Sequence, residues 1–171
     1  MTARPLQRIS LAIRGTVPLI LSLVLVLLSV VAYGVPDLAV VTPSFGTMAV
    51  YYWAIYRPDL LPAPAAFLIG LAQDVLGGGP TGLMALVLLL VHAVTVSQRR
   101  VFVGKSFLVG WWGFAIIASG AGLATWLAAA AWLGALPPVA QFAYQTLLTI
   151  VLYPCIAWLF SRVHLTLLRE V

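Results

Sequence analysis

Six apolar runs, separated by short breaks rich in charge, proline and glycine, occupy nearly the whole chain. A helix that crosses the ~30 Å hydrocarbon core of a bilayer needs about 20 mostly apolar residues. The runs read as spans at about Thr16–Gly34, Leu38–Tyr56, Leu60–Leu76, Gly82–Ser97, Phe107–Leu133 and Val139–Phe160. This pattern predicts an all-α integral membrane protein with six transmembrane helices in one compact bundle. Residues 1–15 form a basic cytoplasmic segment, 16–162 the single membrane domain, and 163–171 a short cytoplasmic tail. Composition leaves room for little else. Charged residues make up 8% of the chain and hydrophobic ones 63%, whereas soluble domains carry roughly 25% charged residues. The third run is short, ~25 Å as a helix, which suits a segment embedded among its neighbours.

Charge sets the expected orientation. With the N-terminus in the cytoplasm, Arg4, Arg8, Arg14, Arg57, Arg99, Arg100, Lys105, Arg162 and Arg169 all fall on the inner side. That is all nine basic residues, the asymmetry that the positive-inside rule describes. A net charge of +5 therefore indicates topology, not nucleic acid. Trp53, Tyr56, Trp111, Trp112 and Trp158 fall near inner ends and Tyr33 and Trp132 near outer ends, as interfacial aromatic belts do. The alternative for the first run is a cleaved leader, since three arginines precede it and Ala32 and Gly34 have small-residue spacing. At ~18 residues it exceeds the 7–15 of a typical leader core. The first 15 residues are either a plain topology anchor or an interfacial basic helix.

Of the four acids, Asp37, Asp59 and Glu170 fall at span boundaries or the terminus, and only Asp74 lies inside an apolar run, at its end. An ionisable group at such a place is a candidate functional residue. Ala66, Gly70 and Asp74 recur at four-residue spacing and share one helix face, where small residues permit close packing. Asp74 then points into the bundle, with the N–H groups of Gly77, Gly78 and Gly79 as nearby donors. It either braces this turn or contacts a partner or ligand at the outer face. Gln141, Gln145 and Thr149 form a polar stripe in the outer half of the last span, and Gln73, Asp74, Gln141 and Gln145 reach one depth. The conservative reading is an interhelical hydrogen-bond seam. Gly120, Ala124 and Ala128 form a small-residue stripe suited to packing inside the bundle.

Equipment for catalysis is missing from the pattern. A nucleophile needs a base within hydrogen-bond reach, and Ser119, His92 and His164 lie at different places. No paired intramembrane aspartates, phosphate loop or zinc motif occurs. His92 reads as a hydrogen-bonded packing residue, and Cys155 is single, so no intramolecular disulfide or cysteine metal cluster forms. No metal, cofactor or catalytic residue is expected.

Several of these residues together resemble the MreD family of rod shape-determining proteins. The resemblance runs from about Pro43 to Arg162. It rests on Pro43, the pair Tyr52 and Trp53, Pro58, then Gly70, Asp74, Gly78, Pro80 and Gly82, and finally Tyr153-Pro154 ahead of Arg162. Thr81 and Met84 depart from the family pattern. The resemblance implies a non-enzymatic scaffold of the bacterial elongation machinery, needed for rod shape and lateral peptidoglycan synthesis. It implies MreC as partner, together with MreB and the RodA–PBP2 synthase complex, in the cytoplasmic membrane. It also implies a fold similar to the substrate-binding subunits of energy-coupling-factor transporters. The alternative function is accordingly a small-molecule-binding transporter subunit, with Gln73, Asp74 and Gln145 lining a pocket.

Overall fold

Prolines and glycines set the helix boundaries in the computed structural model, which describes residues 19–29, 42–78 and 80–167. Its helices are α1 (Leu19–Ser29), α2 (Phe45–Tyr56), α3 (Ala63–Gly77), α4 (Leu83–Phe102), α5 (Phe107–Leu133) and α6 (Val139–Leu167). No strand occurs among the described residues. Pro62 and Pro64 open α3, where the first turn has no use for their missing N–H donors. Pro137 and Pro138 hold off α6 until Val139, and the indole of Trp126 donates to the Pro137 carbonyl at 3.0 Å. The basic segment 1–15, both ends of the first expected span and residues 38–41 of the second lie outside the described residues.

Helix α2 is the hub. Each residue from Gly46 to Ile55 is buried, as expected of a helix that is apolar all round. It contacts α3, α4, α5 and α6. Tyr51 packs against Phe114 and Tyr153, and its hydroxyl donates to the Gly110 carbonyl at 2.8 Å. Tyr52 and Trp53 both pack on Phe160. Trp53 is wholly buried, so it belongs to the core and not to an interfacial belt. Its place near the end of an apolar run gave the belt reading, but a central helix has no lipid-facing side. Trp112, Trp132 and Trp158 are 68%, 70% and 61% exposed.

Several helix boundaries differ from the apolar runs, the start of α3 at Ala63 among them. Thr42–Ser44 are not helical and α2 starts at Phe45, because Pro43 has no N–H and restrains Thr42. Helix α4 continues to Phe102 and carries Arg99 and Arg100 in its last turn. There Arg99 Nε donates to the Ile55 carbonyl at 2.9 Å, so a cation meets the C-terminal carbonyls of α2. Helix α6 runs on past Phe160. Helices α4 and α5, and α6 over Val139–Arg162, are long and apolar enough to cross a membrane. The 12 residues of α2 and 15 of α3 are shorter.

The expected packing stripe on α5 holds only in part, since Ala124 packs against the core but Gly120 does not. Gly120 is exposed and has no neighbour near its missing Cβ. Phe114, Ala118 and Ala121 form the buried face instead. Spacing identified a small-residue row, but α5 is apolar on every side and hydropathy could not choose its inner face.

Pro154 lies inside α6. It cannot donate to the carbonyl four residues earlier, that of Ile150. The indole N–H of Trp111 on α5 donates to that carbonyl at 3.0 Å. Trp111→Phe should therefore cost about 1–2 kcal/mol by leaving a carbonyl unpaired. In a Pro154→Ala background the same change should cost less, since the new backbone N–H can bond to Ile150. Unfolding of the double-mutant cycle in detergent checks this, and additive effects would contradict it.

Candidate functional site

Asp74, in the last turn of α3, is 3% exposed. One carboxylate oxygen accepts from the Gly82 N–H at 2.8 Å and the Ala85 N–H at 3.3 Å, and the other from the Met84 N–H at 2.9 Å. These groups belong to the first turn of α4, whose N-cap is Gly82. Glycine has no side chain to cap with, so the cap comes from the preceding helix. A carboxylate at a helix N-terminus satisfies orphan donors and opposes the positive end of the helix dipole.

Among the described residues the donors are thus those of α4 and not those of Gly77 and Gly78, while Gly79 lies outside the described residues. Helix α3 extends through Gly77, so that N–H is taken up by the helix ladder. Gly78 ends the helix at φ 67° and Gly82 turns the chain at φ 99°, values that favour glycine. The chain then reverses and brings the start of α4 onto Asp74. Gly70, one turn earlier on the same face, allows this approach. A Cβ there would lie 2.6 Å from the Ala85 nitrogen and the Met84 carbonyl oxygen.

Gln73 projects toward α2. It is nine-tenths buried and its Oε1 has no hydrogen-bond partner among the described residues. This oxygen sits beside Gly46, where a Cβ would come within 2.5 Å of it. From α6, Thr149 Oγ1 donates to the Gln145 carbonyl at 2.7 Å and accepts from the Ser44 N–H at 3.0 Å. Gln73, Asp74, Pro80 and Gln145 line a common cavity of about 230 Å³, with Ser44, Thr47 and Thr149 adding polar groups and Met84, Ala121 and Phe142 an apolar wall.

The remaining candidates lie elsewhere. Gln141 is exposed in the first turn of α6 and does not line the cavity. The four-residue step from Gln145 shifts it ~6 Å along the helix, past the rim. Tyr52 and Trp53 are core residues near Phe160. Pro58 lies in the turn after α2, and Pro154 within α6. The Nε2 of His92 is 2.9 Å from the Leu61 carbonyl and ties α4 to the turn before α3. The sequence alone did not single out Gly46, which packs on Gln73, or Ser44 and Thr146, which line the cavity. A glycine inside an apolar helix was a usable signal for Gly46. Among the described residues no group of histidine, cysteine and acid side chains could hold a metal.

No curated protein and no solved structure matches this chain. A family model does, described as rod shape-determining protein MreD, and it covers residues 10–163. The match begins well before Pro43 and spans the Gly70–Gly82 turn, the central helix and the Tyr153-Pro154 step. With its long apolar helices and a match over most of its length, the chain belongs to the MreD family of rod shape-determining membrane proteins.

Proposed function

We propose that this chain is a non-enzymatic, multi-pass scaffold of the bacterial cytoplasmic membrane. It acts with MreC, and with MreB and the RodA–PBP2 synthase complex, in lateral peptidoglycan synthesis. The observation that carries this reading is the family match over residues 10–163. Residues 16–162 then cross the membrane six times, with both termini cytoplasmic. The charge partition supports that topology. Arg57 follows α2, Arg99 and Arg100 end α4, Lys105 precedes α5 and Arg162 lies toward the end of α6. All of these helix ends are remote from Asp74.

The use of ionisable groups supports a structural role. Both Asp74 oxygens accept backbone N–H groups, and the His92 Nε2 is engaged with Leu61. Groups held in such bonds are poorly placed as a nucleophile or a general base. Gly70, Asp74 and Gly82 build the α3–α4 hairpin, Gln73 ties it to α2 beside Gly46, and Gly78 and Pro80 shape its tip, which offers a compact surface to a partner.

Depletion from the native rod-shaped cell should give round cells, and crosslinkers placed at positions 77–82 should capture an MreC-type partner. Rods that persist after complete depletion would refute the reading. A second reading, a small-molecule-binding transporter subunit of the energy-coupling-factor type, is favoured by the cavity between Gln73, Asp74 and Gln145. Round cells with unchanged vitamin uptake would decide against it.

A further inference from the structure

The polar cavity adjoins a second hollow of about 430 Å³ between α5 and α6, and Gly122, Phe142 and Thr146 line both. The second hollow is apolar, and its walls include Leu123 and Leu147, 58% and 60% exposed on the outside of the helix pair. In a membrane-spanning chain that outside meets acyl chains. The two hollows therefore form one amphipathic path, polar at the Gln73 end and apolar at the lipid side.

Hydrogen bonding narrows what the polar end accepts. Thr125 Oγ1 already donates to the Ala121 carbonyl at 2.8 Å, and Thr149 Oγ1 to that of Gln145 at 2.7 Å. Each hydroxyl has one proton, so what these threonines have left is acceptor capacity. Gln73 Oε1 is a further buried acceptor with no donor among the described residues. The Gln145 amide and the Thr146 hydroxyl on the same lining can donate, so a group that both donates and accepts, such as a hydroxyl, matches this wall.

Charge narrows it again. No basic residue lines the cavity among the described residues, and its single ion is Asp74. A phosphate there would meet a carboxylate with no counter-ion. An ammonium would meet the positive end of α4, which already holds that carboxylate. An uncharged hydroxyl-bearing group meets neither penalty. A cavity of about 230 Å³ is also larger than the ~150 Å³ that holds benzene, so it has room for such a headgroup.

We propose that the two hollows bind one membrane lipid of the diacylglycerol kind, with a small, uncharged, hydroxylated headgroup beside Gln73 and an acyl chain in the α5–α6 groove. This goes beyond the scaffold role and needs only that the chain lies in a membrane.

The test is native mass spectrometry of the full chain released from detergent, offered dioleoylglycerol, dioleoyl phosphatidic acid, dioleoyl phosphatidylethanolamine or glycerol. Dioleoylglycerol should be retained about tenfold better than the two phospholipids, the equivalent of one good hydrogen bond. Gln73→Leu should lower retention of dioleoylglycerol several-fold and so narrow that preference, while the part set by charge stays. Ala143→Trp, which fills the outer groove and leaves the polar end intact, should lower retention of every lipid and keep the ranking. If Gln73→Leu does not fold, Ala143→Trp and the lipid ranking carry the test. Equal retention of the three lipids, preference for either phospholipid, or glycerol binding as well as dioleoylglycerol would each overturn the proposal. None of these outcomes depends on cell shape, so the assignment and the scaffold reading fail separately.

Discussion

Gly70→Ala should destabilise this protein about as much as truncation of a large core side chain. The added Cβ would sit 2.6 Å from the Ala85 nitrogen and the Met84 carbonyl oxygen, and against the Ala85 Cα. Those atoms are backbone, so no rotamer change relieves the overlap and α3 must move away from α4. Overpacking of this kind costs typically ~1–3 kcal/mol. Asp74 lies one turn further along the same face and reaches the same first turn of α4. Separation of the helices therefore also weakens the cap, adding ~0.5–2 kcal/mol. The expected total is about 1.5–5 kcal/mol, read as a lower midpoint of unfolding in detergent. Gly70→Leu should not accumulate in membranes at all. By contrast Gly77→Ala, with open space around the site and an ordinary helical φ, should be close to neutral. If Gly70→Ala unfolds at the wild-type midpoint, the close approach of the two helices is not a constraint.

The relation between Gly70 and Asp74 was readable from sequence because helix periodicity fixes it locally. Four-residue spacing puts the pair on one face whatever surrounds them. The partner of Asp74 was not readable, because it depends on a chain reversal. Gly78 and Gly82 permit many turns, and only the assembled hairpin selects the one that presents Gly82, Met84 and Ala85. Trp53 illustrates the same limit. Hydropathy marks it as apolar and near a helix end, but the neighbours that bury it come from α6, more than a hundred residues along the chain. Gln141 and Gln145 share a stripe, yet the cavity accepts only Gln145, because its rim is set by other helices. The Trp111 bond to Ile150 had a clue in sequence: a proline inside an apolar helix leaves a carbonyl that needs a donor from elsewhere.

Asp74→Ala should lower stability by about 3 kcal/mol, because it leaves donors of the first turn of α4 without a partner at a buried place. Gly82 cannot take over the cap, and Gln73 projects toward Gly46. Asp74→Asn keeps one acceptor oxygen and should cost roughly half as much. Gln145→Ala should cost less than either, since its side chain is only half-buried and its link to Thr149 runs through its backbone carbonyl. Asp74→Ala and Gly70→Ala should also be less than additive when combined, because each breaks the same contact between α3 and α4. Full additivity would mean that the two residues act on different features. The cell supplies the second readout. If Asp74 works by holding the hairpin, loss of rod shape in the Asp74→Asn strain should follow loss of protein and be reversed by raising expression. Asp74→Asn protein that reaches wild-type abundance and unfolding midpoint, yet leaves cells round, would instead assign the carboxylate to a partner contact.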